Sequence, residues 1–146
     1  MAYKSIVCGV TGSEGSAKAQ AEAVRLAKEN SAALAFVYAV DASFLKGITV
    51  GLRPEYAEKT LEHLGGHILE EAETLAKAQG VTPKLVLAKG AVLAVLKQAV
   101  ASEKADLLVL SDDGRTFFEK VLFGGEVSDH VAALGSETGI AVLVVK

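Results

Sequence analysis

Apolar positions along this chain follow two rhythms that take turns. Five short runs, Ser5–Val10, Ala33–Val40, Lys84–Ala88, Asp106–Leu110 and Ile140–Val145, are rich in aliphatic and β-branched residues without regular polar alternation. Continuous runs of that length are expected of parallel strands covered on both faces. Between them the apolar residues return at helical spacing. Ala19, Ala23, Leu26 and Ala27 mark one face of a first helix, which begins after the cap-like stretch Ser13-Glu14-Gly15-Ser16. Leu61, Leu64, Ile68, Ala72, Leu75 and Ala76 mark a second, opened by Pro54. Val92, Val95, Leu96, Ala99 and Val100 mark a third. Val127, Val131 and Leu134 mark a fourth that stops at Gly135.

The resulting β-α-β-α-β-α-β-α-β order predicts an α/β fold: an open doubly wound parallel five-stranded sheet, order 3-2-1-4-5, with helices on both faces. No repeat or linker interrupts residues 1–146, so they are expected to form one domain. In such folds ligands bind outside the carboxyl ends of the strands, near the point where strand order reverses. Three loops are thereby gathered around one crevice: Val10–Ser16, Asp41–Arg53 and Ser111–Gly125.

Composition narrows the partners. Charged residues make up 23% and the formal net charge is −3, which argues against nucleic acid or an anionic membrane. No run reaches membrane-spanning length and no basic segment leads into an apolar one at the amino terminus, so a cytoplasmic protein is expected. The single cysteine, Cys8, lies within an apolar run and reads as a buried core thiol.

Several familiar sites fail on their own chemistry. Gly9-Val-Thr-Gly12-Ser-Glu-Gly15 has the spacing G-x2-G-x2-G, unlike the G-x-G-x-x-G of a dinucleotide site, although Asp41 after the second strand is well placed for a ribose. A phosphorylated receiver needs acids where this chain has Val10-Thr11 and Lys89-Gly90. His63 and His67 stand four residues apart, but Gly65-Gly66 between them weakens a helix locally and no metalloprotease glutamate accompanies them. They read as surface histidines, and no metal centre is expected. His130 is of interest only for its nearness to the third loop. No nucleophile elbow or acid–base constellation is visible, so no catalysis is expected.

The third loop carries the strongest signal, with the spacing S-x2-G-x9-G-G from Ser111 through Gly114 to Gly124 and Gly125. Glycines between a strand exit and a helix start let backbone N–H groups and the helix dipole meet a phosphate. Together with the five-strand order, Gly90 after the third strand and the closing Ala141-Val-Leu-Val-Val-Lys146, this loop resembles the universal stress protein family. The family's nucleotide-binding branch has G-x2-G-x9-G-[S/T] here. The resemblance implies ATP or another adenine nucleotide, with Val10 and Val40 beside the base and Gly114, Gly124, Gly125 and Ser128 at the phosphates. Arg115 stands where the family often has a basic residue, and Val127-Ser128 matches the hydroxyl-bearing start of the last helix. Thr11 and Gly12 occupy the first-strand turn. The chain departs from the pattern at Ser111 for the first glycine, Gly125 for the hydroxyl residue and Thr11 for an acid.

Asp112, Asp113 and Glu126 flank the phosphate position against Arg115 and Lys120, so a triphosphate needs a bridging cation such as Mg2+. The resemblance further implies a homodimer through the Ala141–Val145 strand, an apolar edge suited to pairing. A dimeric scaffold that binds no nucleotide, as in another branch of the family, is the competing expectation.

Overall fold

A computed structural model describes residues 3–10, 14–40, 54–90, 92–111 and 139–145. In chain order the elements are β1 (Ser5–Gly9), α1 (Glu14–Asn30), β2 (Ala33–Val40), α2 (Pro54–Ala78), β3 (Lys84–Lys89), α3 (Val92–Ser102), β4 (Leu107–Ser111) and β5 (Ala141–Val145). The strands form a five-stranded sheet in the order β3-β2-β1-β4-β5, parallel at every pairing. Strand order reverses between β1 and β4. The expected fourth helix over Val127–Leu134 lies outside the described residues.

In β1, β2 and β4 the continuity of the apolar runs is explained by burial on two sides. Ile6, Cys8, Val10, Phe36, Tyr38, Val40, Leu107 and Val109 pack with Ala19, Ala23 and Ala27 of α1 and Ile68, Leu69, Ala72 and Ala76 of α2. The intervening residues Val7, Ala35, Val37, Leu108 and Leu110 pack with Val95, Leu96, Ala99 and Val100 of α3. Successive strand side chains point to opposite faces, so a strand between two helical layers has no position left for a polar residue. Cys8 is fully buried, which pushes its thiol far above the ordinary value and leaves it a core methyl in all but name.

At the amino ends of the strands, side chains hold the backbone. The Asp106 carboxylate accepts the N–H of Lys4 at 2.8 Å and of Ser5 at 3.1 Å, and the Asp106 N–H donates to the Ser5 carbonyl at 2.9 Å. The Ser5 hydroxyl donates to the Glu103 carbonyl at 2.9 Å. Asn30 accepts the Tyr3 N–H through Oδ1 and donates to the Leu26 carbonyl through Nδ2. Asp106 is thus the staple before β4 rather than its first residue, as the apolar pattern had it. Elsewhere β1 ends at Gly9, one residue before the expected Val10, while β3 runs on to Lys89.

All three described helices leave their last turn in the same way. A residue of positive φ follows each one, Ser31 at 52°, Gly80 at 84° and Lys104 at 50°. The next N–H then returns five residues, from Ala32 to Ala27, Val81 to Ala76 and Ala105 to Val100, at 2.9–3.0 Å. This is the Schellman arrangement, with glycine in only one of the three left-handed positions.

The face of α2 differs from expectation. Leu64 and Leu75 are 49% and 37% exposed, while Gly65 sits against the sheet. A Cβ on Gly65 would lie 2.4 Å from a Tyr38 ring carbon and 2.8 Å from Leu87 Cδ1. The absent side chain therefore lets the helix settle on β2 and β3, and the two leucines fall to the flank of the stripe. The helix passes unbroken through Gly65-Gly66, held from below by this packing.

Candidate functional site

The strand reversal, beside which a crevice is expected, is described up to the strand ends. Pairing of β1 with β4 is seen as far as Cys8–Val109, whereas β4–β5 pairing continues to Ser111–Val145 and β2–β3 pairing to Val40–Lys89. In an open parallel sheet a ligand site lies outside the carboxyl ends of the strands where strand order reverses, and here that reversal falls between β1 and β4.

Val10, Val40 and Ser111 stand at the carboxyl ends of β1, β2 and β4, and all three are buried. The Val10 N–H donates to the Val37 carbonyl at 3.0 Å, fixing the exit of β1 to its neighbour. The Gly90 N–H donates to the Val40 carbonyl at 3.0 Å, fixing the exit of β2 to that of β3. Gly90 has φ of 136°, a backbone region in which a Cβ is strained, and that is why glycine follows β3. Gly9, by contrast, makes room for protein: its Cβ would approach Leu110 Cδ2 at 3.1 Å and Leu96 Cδ2 at 3.2 Å.

Across this arrangement, the family model for the universal stress proteins matches residues 2–146. The chain belongs to the universal stress protein family. A universal stress protein of Methanocaldococcus jannaschii is 30% identical over 99% of this chain and 82% of its own length. The crystal structure of a universal stress protein in complex with cAMP is 27% identical, with a TM-score of 0.73 over 100% of this chain and 99% of that one. A family member from Burkholderia pseudomallei, 22% identical, shares the fold with a TM-score of 0.74, over 98% of this chain and 96% of its own.

For a universal stress protein the departure at Ser111 is well tolerated. Ser111 is the last residue of β4 and is not among the residues of positive φ, so a Cβ costs the backbone nothing there. The remaining expected site residues, Thr11, Gly12, Asp41, Gly114, Arg115, Gly124, Gly125, Glu126, Val127 and Ser128, lie outside the described residues, as does His130.

One charged feature near the crevice has no signal in the apolar pattern. Lys89, in register beside Val40, reaches across to α2, where its Nζ lies 2.9 Å from Glu62 Oε1. The two residues are distant in sequence, and only the packing of α2 on the edge strand joins them. Two surface clefts are lined by described residues. One of about 570 Å³ lies between α1 and α2 beside Val24, Lys28 and Leu75. The other, about 420 Å³, runs between β3 and α3. Neither touches Val10, Val40 or Ser111. His63 and His67 are exposed on α2, as surface histidines should be. No helix among the described residues is long and apolar enough to cross a membrane.

Proposed function

We propose that this universal stress protein is a regulatory module that binds an adenine nucleotide, without fast turnover, in the crevice at the carboxyl ends of β1, β2 and β4. The observation that carries this reading is the 27% identical, full-length relative solved in complex with cAMP. The base lies beside Val10 and Val40, the apolar residues at the carboxyl ends of β1 and β2. The phosphates meet the glycine loop at Gly114, Gly124 and Gly125, with Ser128 as hydroxyl donor, and Thr11 and Asp41 attend the ribose. Val10, Val40 and Ser111 carry no side chain that ionises near neutral pH, and the ligand acts as a signal or stabiliser rather than a substrate. A triphosphate takes Mg2+ with it, because Asp112, Asp113 and Glu126 oppose its charge.

Calorimetric titration of nucleotide-stripped protein with cAMP, AMP and ATP, with and without Mg2+, tests the reading. Saturable binding of any of the three supports it, and no heat up to millimolar ligand overturns it. The departures at Thr11, Ser111 and Gly125 favour a second reading, a dimeric scaffold without nucleotide, which is what the negative result would leave.

The dimer belongs to both readings. The two sheet edges differ: β3 is bounded by Lys84 and Lys89, whereas β5 reads Ala-Val-Leu-Val-Val with four of its five residues only partly covered. Terminal lysines discourage strand addition and a bare aliphatic edge invites it, so the homodimer forms through Ala141–Val145. Sedimentation of Val144→Lys tests this; an unchanged dimer would exclude that edge.

A further inference from the structure

We propose that His63 and His67, on the outer face of α2, form an open two-imidazole seat for a late first-row divalent metal ion, Cu2+ ahead of Zn2+. The sequence objection was the glycine pair between them. The structure removes it, because α2 continues without a break from Pro54 to Ala78. Residues four apart on an unbroken helix lie on one face, with Cβ atoms about 5–6 Å apart. That span lets two imidazole nitrogens close on one ion at bonds of about 2.0–2.1 Å. Both side chains are exposed, so no packed neighbour must move.

Glu70 stands beside the pair, its Oε2 4.0 Å from His67 Nδ1; at that distance it makes no hydrogen bond, and its charge favours a cation held at the two imidazoles. Beneath the same turn, Gly65 is wedged on Tyr38, while Gly66 faces open space. An ion bridging His63 and His67 therefore spans the turn of α2 with the weakest helical propensity and holds it from outside. Among the described residues no group of three or more His, Cys, Asp or Glu gathers around a common point. Water completes the coordination, and the ion exchanges. Two nitrogen donors in an open site favour Cu2+ over Zn2+ by the ordinary affinity order.

The test is calorimetric titration of tag-free protein with Cu2+ and with Zn2+ in a non-coordinating buffer, for the wild type and for His63→Gln, His67→Gln and His130→Gln. Far-ultraviolet circular dichroism checks that each variant folds. The expected result is a saturable site weakened about tenfold or more by either α2 substitution and unchanged by His130→Gln. Electron paramagnetic resonance of the Cu2+ complex should show two coordinated imidazole nitrogens in the wild type and one in each α2 variant. No saturable Cu2+ site, wild-type affinity in either α2 variant, or loss of binding in His130→Gln would overturn the proposal.

Discussion

The two ends of the sheet are held by opposite means. At the amino ends side chains do the holding: Asp106 grips the N–H groups of Lys4 and Ser5, Ser5 grips the turn after α3, and Asn30 grips Tyr3. At the carboxyl ends the residues of β1, β2 and β4 are small or apolar and the one charge among the described residues there, Lys89 of β3, turns away to Glu62 on α2, while the backbone is held through Val10 N–H to Val37 and Gly90 N–H to Val40. A parallel sheet can thus keep its stabilising polar contacts at one end and leave the other smooth and open for a ligand. The same division makes the two ends separately addressable by mutation.

The largest effect is expected at Gly90. Gly90→Ala places a Cβ on a backbone with φ of 136°, costing about 1–3 kcal/mol, and disturbs the hydrogen bond to Val40 at the crevice. Urea unfolding should show the loss, and, on the proposed nucleotide reading, calorimetry should show a weakened affinity with it. Asp106→Ala should cost less, about 1–2 kcal/mol, since its two charge-assisted bonds are partly exposed to water. Nucleotide affinity should not change. If Asp106→Ala weakened the nucleotide as much as Gly90→Ala, the two ends would not be independent.

The Asp106 staple also carries a pH signature. Burial alone would raise its carboxyl, but the N–H groups of Lys4, Ser5 and Asp106 itself, with the Lys4 charge, hold it below the ordinary value. A depressed folded pKa stabilises above the unfolded value, and the gain disappears as pH falls through the folded one. The stability gap between wild type and Asp106→Asn should therefore be full at pH 7 and narrow on acidification below about pH 4, as melting curves across that range would show. The smallest effect has the other sign. Lys104→Gly relieves a non-glycine residue held at φ of 50° after α3 and should gain up to about 1 kcal/mol in urea unfolding.

Much of this architecture was legible because burial on two sides writes itself plainly into a strand. All five runs became strands in the expected order. Their ends shifted where a polar group intervened, as when Asp106 turned from strand residue to staple. The face of α2 was misjudged for a related reason: Gly65 has no side chain to weigh, yet it holds the centre of the buried stripe and displaces Leu64 and Leu75. At the site, topology alone brought Val10, Val40 and Ser111 to the strand ends. The positive φ of Gly90 and the Lys89–Glu62 bridge were not legible, since each exists only once β3, β2 and α2 are in contact.

The Asp106 staple joins residues 101 positions apart in the chain. Closing so long a span early in folding costs chain entropy that only accumulated long-range contacts can offset. During synthesis the amino-terminal β-α-β unit therefore emerges without the strand that will lie at the other side of β1. Until Leu107–Ser111 leaves the ribosome, Ser5–Gly9 remains an edge, and the apolar run Ile6-Val7-Cys8 is exposed to any other strand that passes. Pairing of β4 takes that edge away from β1 and passes it to Leu107–Ser111, which stays open until β5 arrives.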